Sequence, residues 1–524
     1  MLDQKSVLDH GGLWLGALVM ALLWMFASGP SAHAAAPARP SRQDQANHNF
    51  LPLLSTGASA DPNAPPPLCR FGVNGEPGSY PIEPMRFGWF IDYRASLSAN
   101  APSSMDYYPM IRLEQEGDTY RYSIFLNRAP TSDAQLSEVI DAHPGAYWFV
   151  GNEPDRYHYQ DDLEPHIYAQ AYHDLYHRIK SQDPAARIVA GSIVQPTPVR
   201  LQYLDMVLAS YYERYGQRMP VDVWAFHNFI LNEANCNFYN DPSVCWGAEI
   251  PPGLRDTVKD GMRIDVQQND SIELFKQQVI AFRRWLAQRG YREVPVFLSE
   301  YGVLMPAGLF NPDFTPERVN AYMNATFDFL LSAKDPAIGY PGDDNRLVQR
   351  FSWYSVDDTS FNGFLFDPNR PVSAARTSIG SNLAGYTAGV QDETDLEALR
   401  VGLVGTPPLA DQGATTVTLQ AIIANSGNLA EAAEASVAFY DGDPAAGGVL
   451  IGESTVQLAG CGERATAQVE WPDVAPGQYQ VYVQVDGDNQ VHEVDEGNNR
   501  TSGVVAFTRS QLFIPAVSNP FIIP

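Results

Sequence analysis

The feature that most limits what this chain can become is a series of apolar runs, each too continuous for a half-exposed strand. They read RFGWFIDY from Arg86, YYPMIRLE from Tyr107, YRYSIFLN from Tyr120, AYWFVGNE from Ala146, ARIVAGSIV from Ala186, VDVWAFHNF from Val221, VPVFLSEYG from Val294 and VQRFSWYSV from Val348. Such runs suit strands covered on both faces, as parallel strands are when helices cross back over the sheet. Between them, segments beginning at Ile167, Leu201, Ser271 and Thr315 place apolar residues every three or four positions, the spacing of one buried helix face. The segment from Ser271 has a capping serine, Glu273 in its first turn and Gly290 as its stop. Eight strands alternating with helices predict an α/β fold, a (β/α)8 TIM barrel over residues 69–390.

From residue 395 to 508 the helical patterning vanishes. Alternating strands such as TTVTLQAIIAN, EASVAFYDG, ATAQVEW and YQVYVQVD, parted by Gly, Pro and Asn, predict an all-β immunoglobulin-like sandwich. Ahead of the barrel, the apolar run Leu13–Ala27 followed by Ala32-His33-Ala34 reads as a signal peptide over residues 1–34, too short for a spanning helix. Lys5 is offset by Asp3 and Asp9, so an uncleaved anchor is the alternative. Residues 35–68 are a Pro/Ala-rich linker, and 509–524 form an apolar tail broken by prolines, an edge strand or a sorting tail. These flanks predict a secreted or cell-surface protein. A net charge of −27 excludes a nucleic-acid partner, which would demand clustered Lys and Arg. In an exported chain the close pair Cys236 and Cys245 is expected to form a disulfide, while Cys69 and Cys461 have no assignment.

In a barrel of this kind the C-terminal strand ends converge on one mouth. Glu153 stands there after the fourth strand, His227 at the sixth, Glu300 at the seventh and Trp353 at the eighth. Two carboxylates about 5 to 5.5 Å apart are what double-displacement glycoside hydrolysis requires, one as acid and base and the other as nucleophile. Unequal burial and neighbours can give them the different pKa values those roles need.

The motifs GNEPD, from Gly151, and LSEYG, from Leu298, resemble the closing segments of strands four and seven in clan A of the glycoside hydrolases. The resemblance implies that Glu153 is the acid and base, Glu300 the nucleophile and Asn152 the group that meets the sugar 2-hydroxyl. It further implies that His227 lines the site, that Trp353 forms a floor under the sugar and that Arg112 in MIRLE steadies the nucleophile. No cofactor or metal is implied. One position departs from the pattern: families with His-x-Tyr on strand six use that tyrosine to hold the nucleophile, and here it is Phe229, so either another group such as Tyr301 supplies that bond or the nucleophile is less well held.

Each motif also has a plainer reading. NEP alone is most often a helix cap or a turn, and Trp148 and Trp353 taken singly are core residues. HDLYH, from His173, has the spacing of a zinc-binding helix, but Asp174 is a methylene shorter than the glutamate of zinc proteases, and Tyr172, Leu175, Tyr176 and Ile179 already mark the buried face. VDGDNQVHEVDEGNNR, from Val485, resembles the last hairpin of the bacterial cell-adhesion-related CARDB sandwich, with IIANSGN and AFYDGDP matching earlier strands. That resemblance implies surface attachment or substrate proximity. Its acidic residues Asp486, Asp488, Glu493, Asp495 and Glu496 offer hard oxygens suited to calcium, or are simply a solvated hairpin of an acidic protein. The combined expectation is an exported retaining glycoside hydrolase acting on a polysaccharide or oligosaccharide. The alternative is a noncatalytic surface glycan-binding or adhesion protein on a decayed glycosidase barrel.

Overall fold

The computed structural model describes residues 65–123, 129–157, 160–239, 246–405 and 414–507. The signal peptide, nearly all of the linker, Cys245 and the apolar tail lie outside these residues. No helix among them is long and apolar enough to cross a membrane.

The barrel strands are β1 (Leu68–Asn74), β2 (Phe87–Ile91), β3 (Asp106–Tyr107), β4 (Met110–Ile111), β7 (Tyr147–Val150), β8 (Arg187–Ile193), β9 (Val223–Asn228), β10 (Val296–Tyr301) and β11 (Arg350–Tyr354). All pair in parallel, in the order β3-β2-β1-β11-β10-β9-β8-β7-β4. The two ends of that order are pieces of one stretch interrupted by Pro109. Tyr108 donates its N–H to Phe90 on one side, and Phe149 donates to the Pro109 carbonyl on the other, so the sheet curls round and closes.

Two expectations change in detail. The first strand, Leu68–Asn74, lies where sequence reading placed only a linker boundary; it is buried along its whole length. The described part of the YRYSIFLN run supplies no barrel strand: it falls in β6 (Thr119–Tyr122), which forms an antiparallel hairpin with β5 (Leu113–Glu116) and is half exposed. Its alternating polar residues leave one face wet, which a barrel strand does not tolerate. The count of eight survives because one strand is gained before the position where another is lost, and Arg112 moves from the second strand to the end of the third.

Side chains pointing inward fill the barrel. Trp89, Tyr108, Met110, Phe149, Val189, Val223 and Phe297 form one buried cluster, with Trp89 stacked on Tyr108 at 5.0 Å. Gly72 makes room for that tryptophan, since a Cβ there would lie 2.4 Å from its ring. The outer faces of the strands pack on the helices α1 (Asp133–Ala142), α2 (Pro165–Gln182), α3 (Pro198–Tyr215), α4 (Ile272–Gln288), α5 (Pro316–Ser332) and α6 (Ser378–Ala388). Ser271 caps α4 by accepting the Leu274 N–H, as its position predicts.

Residues 396–507 form a sandwich of two antiparallel sheets. One holds β12 (Leu396–Leu403), β13 (Thr415–Asn425) and β16 (Glu463–Val474); the other holds β15 (Val449–Leu458), β14 (Ala433–Asp441), β17 (Gly477–Val485) and β18 (Arg500–Phe507). Leu419, Ile423, Phe439, Val481 and Val483 lie between them, fully buried. The hairpin carboxylates are occupied locally: Asp486 accepts from the Gln490 and Val491 amides, Glu493 from Leu396, and Asp495 from Gly497.

The sandwich is fixed to the barrel at the starts of its strands. A disulfide joins Cys69, in β1, to Cys461, the two cysteines that had no assignment. Beside it, Arg70 is fully buried, held by both oxygens of Asp343 at 2.8 and 2.7 Å and by the Ser426 and Gly427 carbonyls of the sandwich. Arg187, at the start of β8, pairs with Glu463 at 2.8 Å. The expected Cys236 and Cys245 pairing involves a residue outside the described ones.

Candidate active site

Beyond β7 the chain turns sharply. Gly151 has φ of +81° and Glu153 φ of +44°, the left-handed region that costs a non-glycine residue about 1–2 kcal/mol. Buried bonds hold the turn in place. Asp161 accepts from the Asn152 amide at 2.8 Å and the Leu113 amide at 3.0 Å, and the Glu153 amide donates to the Ser192 carbonyl at 3.0 Å. Behind it, Asp155 and Glu233 both grip the fully buried Arg200, at 2.5 and 2.7 Å. A strained residue clamped this firmly aims its side chain to within a narrow range.

That side chain points at His227 and Glu300. The pairing of β9 with β10 sets Glu300 directly beside His227. The imidazole Nδ1 lies 3.0 Å from Glu153 Oε1, and its Nε2 lies 3.4 Å from Glu300 Oε1. Donor atoms of all three residues fall within 4.8 Å of one another. Glu153 and His227 are at most 1% exposed and Glu300 5%. One imidazole nitrogen faces each carboxylate: Nδ1 is hydrogen-bonded to Glu153, while Nε2 and the facing Glu300 oxygen are both buried without a hydrogen-bond partner.

The two carboxylates are driven apart electrostatically. Burial pushes Glu153 up, but the Arg156 guanidinium at 3.1 Å and the hydrogen-bonded His227 outweigh it and pull the carboxyl down to about 2. Glu300 goes up to about 7, chiefly by burial, with the Glu153 charge adding to it and His227, Arg112 and the Tyr93 hydroxyl opposing it. Burial lowers His227, yet Glu300 and Glu153 raise it further, so its net direction is upward. Glu153 is therefore held toward its carboxylate form, and Glu300 and His227 toward their protonated forms.

Five of the sequence-predicted residues meet here: Asn152, Glu153, His227, Glu300 and Arg112. Asn152 donates to Gln160 at 2.8 Å, and its Oδ1 is buried without a hydrogen-bond partner, an acceptor suited to a ligand hydroxyl. Arg112 is paired to Asp161 at 2.6 Å and to Gln160 at 3.2 Å, and its charge reaches Glu300.

Tyr301 and Trp353 do not join them. Both lie on the outer faces of their strands: Tyr301 packs on Phe275 of α4, Trp353 packs on Phe327 of α5, and the two rings meet edge to face at 5.3 Å. Strand alternation explains it, because residues next to the inward Glu300 and Ser352 must point away. Their places are taken by residues that sequence reading missed. Tyr93 touches Glu300 and donates to Asn74 Oδ1 at 3.0 Å, while Asn74 donates to Ser352 Oγ at 2.8 Å. Tyr354, half buried and edge-on to Phe229, is the aromatic at the end of β11. The parity of Ser352 and Tyr354 against Trp353 was the signal available. In HDLYH, His173 bonds the Tyr211 hydroxyl at 2.8 Å and stacks on Tyr215 at 3.6 Å, a packing role on the helix surface.

Among solved structures, a GH128 (subgroup II) endo-β-1,3-glucanase from Pseudomonas viridiflava is 16% identical, covering 60% of this chain and 96% of its own, with a TM-score of 0.38. A monomeric β-xylosidase from Caulobacter crescentus CB15 is 11% identical, with 78% and 95% covered and a TM-score of 0.39. A CARDB domain from Pyrococcus furiosus is 23% identical, with 22% and 88% covered and a TM-score of 0.17. No curated protein sequence matches the chain. Residues 398–503 match the CARDB family model, so the C-terminal sandwich of this chain is a CARDB domain.

Proposed function

We propose that this protein is an exported retaining glycoside hydrolase that cleaves O-glycosidic bonds of a polysaccharide or oligosaccharide at the barrel mouth. The observation that carries the reading is the meeting of Glu153 and Glu300, from separate strands, within a buried group of atoms no more than 4.8 Å apart. An approach this close suits direct attack by one carboxylate on a sugar that the other protonates. In the first half-reaction Glu300 Oε attacks the anomeric carbon. The glycosidic C–O bond breaks, and the Glu153 proton passes to the leaving oxygen. Water, deprotonated by Glu153, then displaces Glu300 and restores both groups. Asn152 Oδ1 accepts a sugar hydroxyl, Arg112 and Tyr93 stabilise Glu300 as it becomes a carboxylate, and Tyr354 offers an apolar face to the ring. The CARDB domain supports a cell-surface or cell-wall setting.

Purified protein assayed on a panel of β-linked polysaccharides and aryl β-glycosides tests the proposal. Turnover is expected, with loss of at least about a thousandfold in Glu153→Gln and Glu300→Gln on substrates with poor leaving groups. NMR of the first product should show the starting anomer, and an inverted anomer would refute double displacement. A second reading, glycan binding without turnover, is favoured by one contact: Arg156 occupies a Glu153 oxygen that acid catalysis needs. It predicts oligosaccharide affinity with no product.

A further inference from the structure

Both oxygens of Glu153 are engaged by neighbouring side chains. Arg156 Nη1 lies 3.1 Å from Oε2, and His227 Nδ1 lies 3.0 Å from Oε1. An acid catalyst must carry a proton on an oxygen that faces the leaving group, and neither oxygen does so here. Of the two partners only Arg156 reaches solvent: its side chain is 21% exposed against 0% for His227. It also spans the mouth, donating through Nη2 to the Gly247 carbonyl at 3.4 Å, in the loop that carries Trp246. Arg156 is thus placed where the leaving-group part of a substrate must enter.

Resting on the glycosidase reading, we propose that Arg156 is a positioning residue, a latch that keeps Glu153 a carboxylate until a hydroxyl of the leaving-group sugar displaces it. Once the guanidinium leaves, the proton has a path. Glu300 gives its proton to His227 Nε2 while His227 Nδ1 gives its own to Glu153, so that no net proton is gained or lost. The transfer turns Glu300 into the nucleophilic carboxylate and Glu153 into the acid in one event, coupled to occupation of the site. His227 is placed for it, since its Nε2 and Glu300 Oε1 stand 3.4 Å apart, both buried and neither with a hydrogen-bond partner.

The charged groups around Glu153 decide how large the effect is. Asp155 and Arg156 face it from its own turn, His227 from β9 and Glu300 from β10, while Arg112 acts from the end of β4 on the Glu300 side. Arg156 itself is balanced by Glu249 and opposed by Arg200. It is the one cation in the group that is neither fully buried nor part of the proton bridge.

The test is a carboxyl 13C NMR titration of protein labelled at glutamate, with the Glu153 signal assigned by its loss in Glu153→Gln. In wild type the signal should stay ionised into strongly acidic solution. In Arg156→Gln its midpoint should rise by about one pH unit or more, and Arg156→Lys should restore the wild-type curve. An unchanged midpoint in Arg156→Gln overturns the proposal. In turnover, Arg156→Gln should move the basic limb of kcat/KM upward by a similar amount, a shift that a merely structural role would not produce. If wild type turns over no glycoside, the glycosidase reading fails, and the NMR midpoint still decides whether Arg156 holds the charge of Glu153.

Discussion

Cys69 and Cys461 close a loop of 392 residues, nearly the whole described chain. Cutting that link with Cys69→Ser gives the unfolded chain back its freedom. The chain-entropy relation, about −2.1 − 1.5R ln n cal/mol/K, yields about 20 cal/mol/K for this loop, or about 6 kcal/mol at room temperature. Unfolding entropy near 2.1 cal/mol/K per residue over roughly 440 residues is about 0.9 kcal/mol/K, so the melting temperature should fall by about 6 °C. Calorimetry on wild type, Cys69→Ser and Cys461→Ser measures it, and the two variants should agree because each removes the same bond. The docking contacts of Arg70 and Arg187 remain in the variants. Barrel and sandwich should therefore still melt together, and far-UV CD should be unchanged. Identical melting of wild type and both variants would refute the reasoning.

Arg70→Met leaves the buried Asp343 carboxylate with only the Gln349 amide and the longer Arg346 contact at 4.0 Å, and should cost roughly 3–5 kcal/mol, read by denaturant titration. Tyr93→Phe removes a hydroxyl that opposes the upward push on Glu300, so kcat should fall about tenfold with KM little altered, checked by steady-state kinetics on an aryl glycoside. The pH profile follows from the pair. Activity needs the proton shared between Glu153 and Glu300, one carboxyl held at about 2 and the other at about 7. It should be present between those values, lost as pH rises through about 7, and lost again as pH falls through about 2, giving an acidic optimum in a kcat/KM profile.

The barrel was legible because strands buried on both faces must be apolar throughout, and β7 to β11 carry that signal without interruption. It failed where the rule weakens. LCRFGVN contains an arginine and two residues small enough to pass for a linker, yet Arg70 is neutralised by Asp343 and Gly72 is demanded by Trp89. Glu153, His227 and Glu300 were found because charged residues at the ends of apolar runs are costly unless they have work to do. Tyr301 and Trp353 were misplaced because a strand end contributes alternate residues to the mouth, and adjacency in sequence to Glu300 or Tyr354 is the wrong parity. Asn74 ends the first strand and Tyr93 lies two residues past the second, where the sequence signal was weakest, and the disulfide joins segments whose proximity only the docking of two domains creates.

That docking bears on what the CARDB domain does for the barrel. Each of the strong links lies near a strand start: Cys69 and Arg70 in β1, Asp343 ahead of β11, Glu293 ahead of β10 and Arg187 in β8. Glu153, His227, Glu300 and Tyr354 lie at the strand ends. A barrel strand of about six residues separates the two faces by roughly 20 Å, and the packed interior of Trp89, Tyr108 and Phe297 fills the space between. Among the described residues the sandwich therefore adds no side chain to the mouth. It closes the bottom of the barrel and, held by a disulfide and by the buried bonds of Arg70 to the Ser426 and Gly427 carbonyls, fixes the direction in which the mouth faces. An attachment through this domain would leave the mouth pointing away from the surface that holds it, which suits a substrate arriving from solution or from a neighbouring polymer.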